Sequence, residues 1–297
     1  MKRLAFIFTI AALLALAGNA AAQRVRLGVA GISGTNAHPY VSKQLGLYQK
    51  YNIDMELIAF QGGSQLIQAM LAGDIPLSFS EGVTALATDI RNPQIYFIGG
   101  VVNIFPFTIL AKPEIQRPGD LRGKKIAISR FGSSSDVAVR TAVERYNLKA
   151  EDVIILQVGG QSERFAALRS GVVDAAIVSP PFNLVGRKLG FKEVIDVSET
   201  GAAYAHQQIV ARKDFIDGQP EFVMRILRAT IEGLGYWKDA SKREAVTQSV
   251  AKFLKLDAQK EKDQLDETFR YYGRIFPAKP YATVEGLELA AAILKKA

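Results

Sequence analysis

The chain has 297 residues, 48% of them hydrophobic, and a formal net charge of +8. With two histidines and no cysteine, it offers no disulfide, no lipid-modified cysteine and no zinc site built from thiolates and imidazoles. The basic residues are scattered as Lys124-Lys125, Arg187-Lys188 and Lys260 to Lys262 with acids close by, which argues against a nucleic-acid partner.

Residues 1–22 read as a signal peptide. Lys2-Arg3 is a basic start, Leu4 to Ala17 is an apolar run of fourteen residues, and Ala20-Ala21-Ala22 is a small-residue cleavage signature before Gln23. The run is short of the ~18 residues of a spanning helix, so soluble export to a periplasm without a lipid anchor is expected. Cleavage removes Lys2 and Arg3 and no acid, so +8 becomes +6.

Short apolar strands then alternate with helical patterns. The predicted strands are Val25–Ala30, Met55–Phe60, Leu77–Ser80, Ile95–Val102, Phe107–Ala111, Lys125–Ser129, Ile154–Gly159, Ala175–Ser179, Glu193–Val197 and Gln207–Arg212. This alternation predicts parallel strand–helix–strand units in an α/β architecture. From Pro220 the spacing of apolar residues becomes three and four, which predicts a helical tail over Glu221–Trp237, Lys242–Leu254, Ala258–Tyr272 and Thr283–Lys295.

One segment occurs twice. Gly62-Gly63 opens an amphipathic stretch that ends at Gly73-Asp74 and runs into Leu77-Ser78-Phe79-Ser80; Gly159-Gly160 opens another that ends at Gly171, passes Asp174 and runs into Ala175-Ala176-Ile177-Val178-Ser179. Such a repeat predicts two similar α/β lobes with a cleft between them. The first lobe is expected at 23–111 plus 204–297 and the second at 112–203, joined by a two-stranded hinge that lets rigid lobes close on a ligand.

Ligands of parallel α/β sheets lie beyond the carboxyl ends of the strands. The loops there are rich in small and polar residues: Gly34 to His38, Gln61 to Ser64, Ser80 to Gly82, Arg130 to Ser135, Gly159 to Ser162 and Ser179 to Pro181. Each precedes a helix whose first amides lack intrahelical partners, although serine, threonine and asparagine also serve as ordinary helix caps. Three serines after Gly132 exceed what one cap requires. Asp136, in the first turn that follows, opposes an anion there. Glu81 could accept an amine or ring N–H, and Phe105, Phe131, Phe182 and Tyr204 could sandwich a planar ligand. His38, before Pro39, is a cap or a pocket wall.

No nucleophile elbow, catalytic triad, metal cluster or cofactor motif is evident, and no cofactor is expected. The stretch Gly119 to Lys125 misses the P-loop by one residue of spacing and by a lysine where serine or threonine belongs. Glu81 and His38 are the one plausible acid–base pair of an enzymatic alternative. A ligand sensor feeding a membrane receptor is the other alternative.

The run Gly34-Thr35 through Lys43-Gln44-Leu45-Gly46-Leu47-Tyr48 to Asp54, with Gln61-Gly62-Gly63-Ser64, Leu71-Ala72-Gly73-Asp74, Asp120-Leu121-Arg122-Gly123-Lys124-Lys125 and Arg169-Ser170-Gly171, resembles a group of substrate-binding proteins. They are those of the nitrate, sulfonate, taurine and thiamine-pyrimidine ABC importers. The resemblance implies a type II periplasmic-binding-protein fold, no catalysis, and a monomer that delivers a small-molecule solute to an ABC permease and ATPase complex in the inner membrane. By position it implies ligand contacts at Thr35, Asn36, Gln61, Gly62, Ser80 and Glu81 in the first lobe. In the second it implies Phe131, Gly132, Ser133, Ser134, Gly160, Gln161 and Ser179. His38 and Tyr204 join them as candidates on their own positions. The ligand, whether sulfonate, aromatic carboxylate, pyrimidine-like or nitrate, does not carry over.

Overall fold

A computed structural model describes residues 22–89, 93–200 and 203–296. The signal sequence therefore lies, but for Ala22, outside the described residues. Among them no helix is long and apolar enough to cross a membrane.

The described residues form two five-stranded sheets. The first has the order β2-β1-β3-β10-β4, built from β1 (Gln23–Ala30), β2 (Ile53–Phe60), β3 (Leu77–Ser80), β4 (Ile95–Val102) and β10 (Gln207–Arg212). The second has the order β7-β6-β8-β5-β9, from β5 (Thr108–Ala111), β6 (Lys125–Ile128), β7 (Ile154–Gln157), β8 (Ala175–Val178) and β9 (Lys192–Asp196). The two orders are the same pattern. The duplicated segment has the same place in each: α3 (Gly63–Ala72) leads to β3, α6 (Gln161–Arg169) leads to β8, and both strands are third in their sheets. Gly73 (φ 96°) and Gly171 (φ 79°) take the left-handed conformation that ends each helix and turns the chain back toward the sheet. β3 and β8 are buried at every position, as interior strands covered on both faces must be.

The sheets are mixed rather than wholly parallel. β10 runs antiparallel to β3 and β4, and β5 antiparallel to β8 and β9. The reversed strand in each sheet is the one that has just arrived from the other, so it enters from the opposite end. β5 also moves the first crossing: it belongs to the second sheet, which puts the crossing at 103–107 and not at 111. The return crossing joins β9 to β10. The two meet where Tyr204 N donates to Asn103 O (3.0 Å) and Val197 N to Phe107 O (2.9 Å), with the Phe105 and Tyr204 rings stacked at 3.8 Å.

After the short α8 (Lys213–Gly218), the helical tail forms as α9 (Pro220–Tyr236), α10 (Arg243–Leu254), α11 (Lys262–Ile275) and α12 (Val284–Lys296). Pro220 opens α9 at a position where its missing N–H costs nothing. Phe222, Ile226, Ala229, Gly233 and Leu234 then bury one face of α9 on α1 (Ala37–Gln44) and α2 (Leu47–Lys50). α10 packs on α1 and α11 on α10, while α12 lies on α4 (Gly82–Asp89). α11 begins later than Ala258 because Asp257 accepts from the Gln259 and Lys260 amides and forms a turn first. From α11 the Tyr272 hydroxyl donates to Pro180 O (3.0 Å), and Glu267 pairs with Arg187 of α7 (Phe182–Lys188) at 3.0 Å. This helix thus ties the tail to the second sheet.

Candidate ligand cleft

A cavity of about 40 Å³ lies where the two sheets face each other, at the carboxyl ends of β1, β2, β3, β6 and β7. The reversed strands β5 and β10 begin at this same edge, so Phe107, His206 and Gln207 join its wall.

Of the residues expected to meet a ligand, Asn36, Gln61, Gly62, Ser80, Glu81, Gly160 and Gln161 line the cavity. The others are placed elsewhere among the described residues. Thr35 is buried against the Tyr272 hydroxyl (3.3 Å). The His38 ring lies edge-on to Phe79 (4.4 Å) and Phe276 (5.6 Å). Phe131 is exposed, and Gly132 N donates to Asp136 Oδ2 (2.9 Å), which turns that acid into its own loop. Ser133 caps α5 (Ser134–Arg145), and the Ser134 hydroxyl meets the Tyr204 hydroxyl at 3.0 Å. Ser179 is bonded behind the wall to Gln161, whose Oε1 accepts from Ser179 N (2.7 Å). On the serine-rich loop it is Ser135, bonded to Ser129 (2.8 Å), that faces the cavity.

Arg164 is a wall residue that the loops do not reveal. Aligned on the glycine pairs, it takes the position that the fully buried Ile67 has in the first copy. A charge at a core position of a repeat is the signal that could have found it. Arg164 Nη1 donates to Ile177 O (2.5 Å) and Nε to Gly160 O (3.3 Å). Burial lowers its pKa to about 10 against the opposing pull of Glu81 and Glu163, so it stays charged at neutral pH.

Glu81 reaches across the cleft. Its Oε2 accepts from Ser134 N at the start of α5 (3.0 Å) and from Thr84 Oγ1 (3.2 Å). Burial raises its pKa, while the Ser134 amide, Thr84 and Arg164 pull it back. Burial also lowers both histidines to about 3, for His206 with help from the Arg164 charge, so both are neutral. His38 does not line the cavity with Glu81, and the acid–base pair of the enzymatic alternative is not assembled. Among the described residues no group of three or more His, Asp or Glu is placed to hold a metal ion.

The two halves touch around the cavity in several places. Besides Glu81 on Ser134, Arg130 Nη2 donates to Gln61 Oε1 (3.2 Å) and Tyr272 to Pro180 O. Among the described residues, Ser80 Oγ and His206 Nδ1 of the wall have no hydrogen-bond partner, and Gln207 Oε1 has only an approach to the His38 ring. Such groups cost free energy when buried alone and mark where a ligand or water bonds.

A candidate binding protein of Brucella abortus (strain 2308) is 27% identical over 265 residues, 86% of this chain and 80% of its own. The alkanesulfonate-binding protein SsuA of Xanthomonas axonopodis pv. citri, bound to MOPS, matches the fold with a TM-score of 0.74 at 18% identity, over 91% of this chain and 90% of its own. The periplasmic nitrate-binding protein NrtA of Synechocystis PCC 6803 does so with a TM-score of 0.68 at 16% identity, over 83% and 70%. The desulfurization enzyme DszB shares the fold as well, with a TM-score of 0.62 at 15% identity over 92% and 90%. A family model described as NMT1/THI5 like matches residues 35–242, which take in the cavity-lining loops from Asn36 to Gln207. The chain belongs to the NMT1/THI5-like family.

Proposed function

We propose that this chain is the exported solute-binding component of an ABC importer, which captures a small solute between its lobes and delivers it to a membrane permease without chemical change. The observation that carries this is the cavity wall itself: two like sheets contribute it jointly, and it holds unpartnered polar atoms where solute would sit. A space of about 40 Å³ admits only a few waters at roughly 10–15 Å³ each. An organic solute therefore enters by separation of the walls about the crossings and is held when they close again. Sulfonate- and nitrate-binding proteins with this fold support the same use, and Glu81, held by Ser134 and Thr84 without an acid–base partner, favours capture over catalysis.

The test is a melting screen over pyrimidines, sulfonates, aromatic carboxylates and nitrate. A true solute at a hundred times its dissociation constant stabilises the protein by about 2.7 kcal/mol. An organic compound is expected to give that shift, and a response to nitrate alone contradicts it.

Export in soluble form is the second expectation. β1 starts at Gln23, so cleavage after Ala22 leaves the first sheet whole. Mass spectrometry of a periplasmic fraction should find the N-terminus within a few residues of Gln23, and recovery only with membranes, Lys2 retained, would count against it.

A further inference from the structure

The proposal above leaves the ligand class open, and the inference here rests on it. We propose that Glu81 is the specificity-determining residue of the cleft, a carboxyl group of the chain itself that already fills the place a free anion would take and reserves the site for solutes without net negative charge that present N–H or O–H donors.

Helix α5 starts at the cleft with amides able to receive an anion. Glu81 already takes that place through Ser134 N (3.0 Å). It is fitted there: a Cβ on Gly63 would lie 3.1 Å from Glu81 Oε2, so even the facing helix start leaves room for this carboxylate and little else. The other acid of the region, Asp136, is committed to Gly132 N and to Arg140 Nε (2.8 Å). Glu81 shares the cavity wall with Arg164 and acts on it through its field, as Glu163 does, so the buried cation of the wall already has acids near it.

Independent of the helix start, the wall offers acceptors for a solute's donors. Gln207 is 3% exposed, and its Nε2 donates to Asn36 Oδ1, whose Nδ2 in turn donates to Ala30 O and Gly31 O (2.9 Å each). That chain fixes the amide so that Gln207 Oε1, an acceptor only, is left with no well-formed hydrogen bond among the described residues, its sole approach being to the buried His38 ring. Ser80 Oγ and the neutral His206 Nδ1, equally unpartnered, can each accept or donate. Nitrate or a sulfonate brings acceptors alone. It could not bond Gln207 Oε1 and would have to compete with Glu81 for the Ser134 amide.

Isothermal titration with sodium nitrate and with sodium methanesulfonate tests this on the whole mature protein. The wild type is expected to bind neither at millimolar concentration. Glu81→Ala frees the α5 amides and the Arg164 charge, and should gain affinity for at least one anion by about tenfold or more. Glu81→Gln, which keeps the shape, should gain less, and Glu81→Ala/Arg164→Met should lose the gain. Circular dichroism checks that each variant is folded; if Glu81→Ala is not, Glu81→Gln and the wild type still decide. Wild-type affinity for either anion equal to that of the folded variants overturns the assignment, as does the absence of any gain. Failure of the solute-binding proposal would show separately, as a melting screen without any response, because the gain of anion binding needs no natural solute.

Discussion

Lowering the pH from 7 to 4.5 should remove on the order of 4–5 kcal/mol of folding stability through His38 and His206. Both are neutral in the fold, with pKa values lowered to about 3 by burial, whereas an unfolded histidine titrates near ~6.5. Between these values the unfolded chain binds protons that the folded chain does not. Stability is therefore fully present above the unfolded value and falls steadily as the pH drops toward the folded one. At roughly 1.4 kcal/mol per unit, the two units below 6.5 cost on the order of 2–3 kcal/mol for each histidine. Arg164 beside His206 stays charged throughout and helps to keep the imidazole neutral. Glu81 has the opposite sign, because its pKa is raised and protonation favours the fold, so it offsets part of the loss. Urea unfolding at the two pH values should show the fall, and His38→Phe/His206→Phe should flatten it. Equal midpoints in the wild type would mean that neither histidine is held neutral.

Gly34→Ala should weaken solute binding by about a hundredfold or more, roughly 2.7 kcal/mol, while each sheet stays folded. A Cβ at Gly34 would lie 1.9 Å from Pro180 O and 2.8 Å from the Tyr272 hydroxyl. The first of these atoms is backbone and cannot swing aside. Gly34 belongs to the loop before α1 and Pro180 to the loop after β8, so the clash falls where the two walls meet and acts on closure. Gly119, where an added Cβ meets nothing within 4 Å, is the control, and Gly119→Ala should bind as the wild type does. Calorimetry of both variants with a solute from the melting screen reads the difference. Equal affinity in Gly34→Ala would place the site in one lobe.

Strand positions were legible in the sequence because interior strands are short unbroken apolar runs: Leu77–Ser80, Ile95–Val102 and Gln207–Arg212 fall where expected. The duplicated glycine-opened segment identifies two like sheets for the same reason, since each copy fills the third place of its sheet. Strand direction was not legible, because it depends on which sheet the chain has just left and not on side-chain pattern. That hid Phe107, His206 and Gln207, which lie at the starts of reversed strands while attention to parallel sheets falls on the ends. The serine run shows a second limit. Cap residues and ligand contacts are the same residue types, so composition alone cannot tell the capping Ser133 from Ser135 on the wall. Arg164 was findable, by comparing the two copies residue by residue and noticing a charge where the other has Ile67.

Closure of two lobes on a solute is most directly tested by small-angle X-ray scattering of the wild-type protein, alone and saturated with the solute that raises its melting temperature. A smaller radius of gyration on saturation, absent in Gly34→Ala, is the predicted result; identical profiles with and without bound solute in the wild type would contradict it.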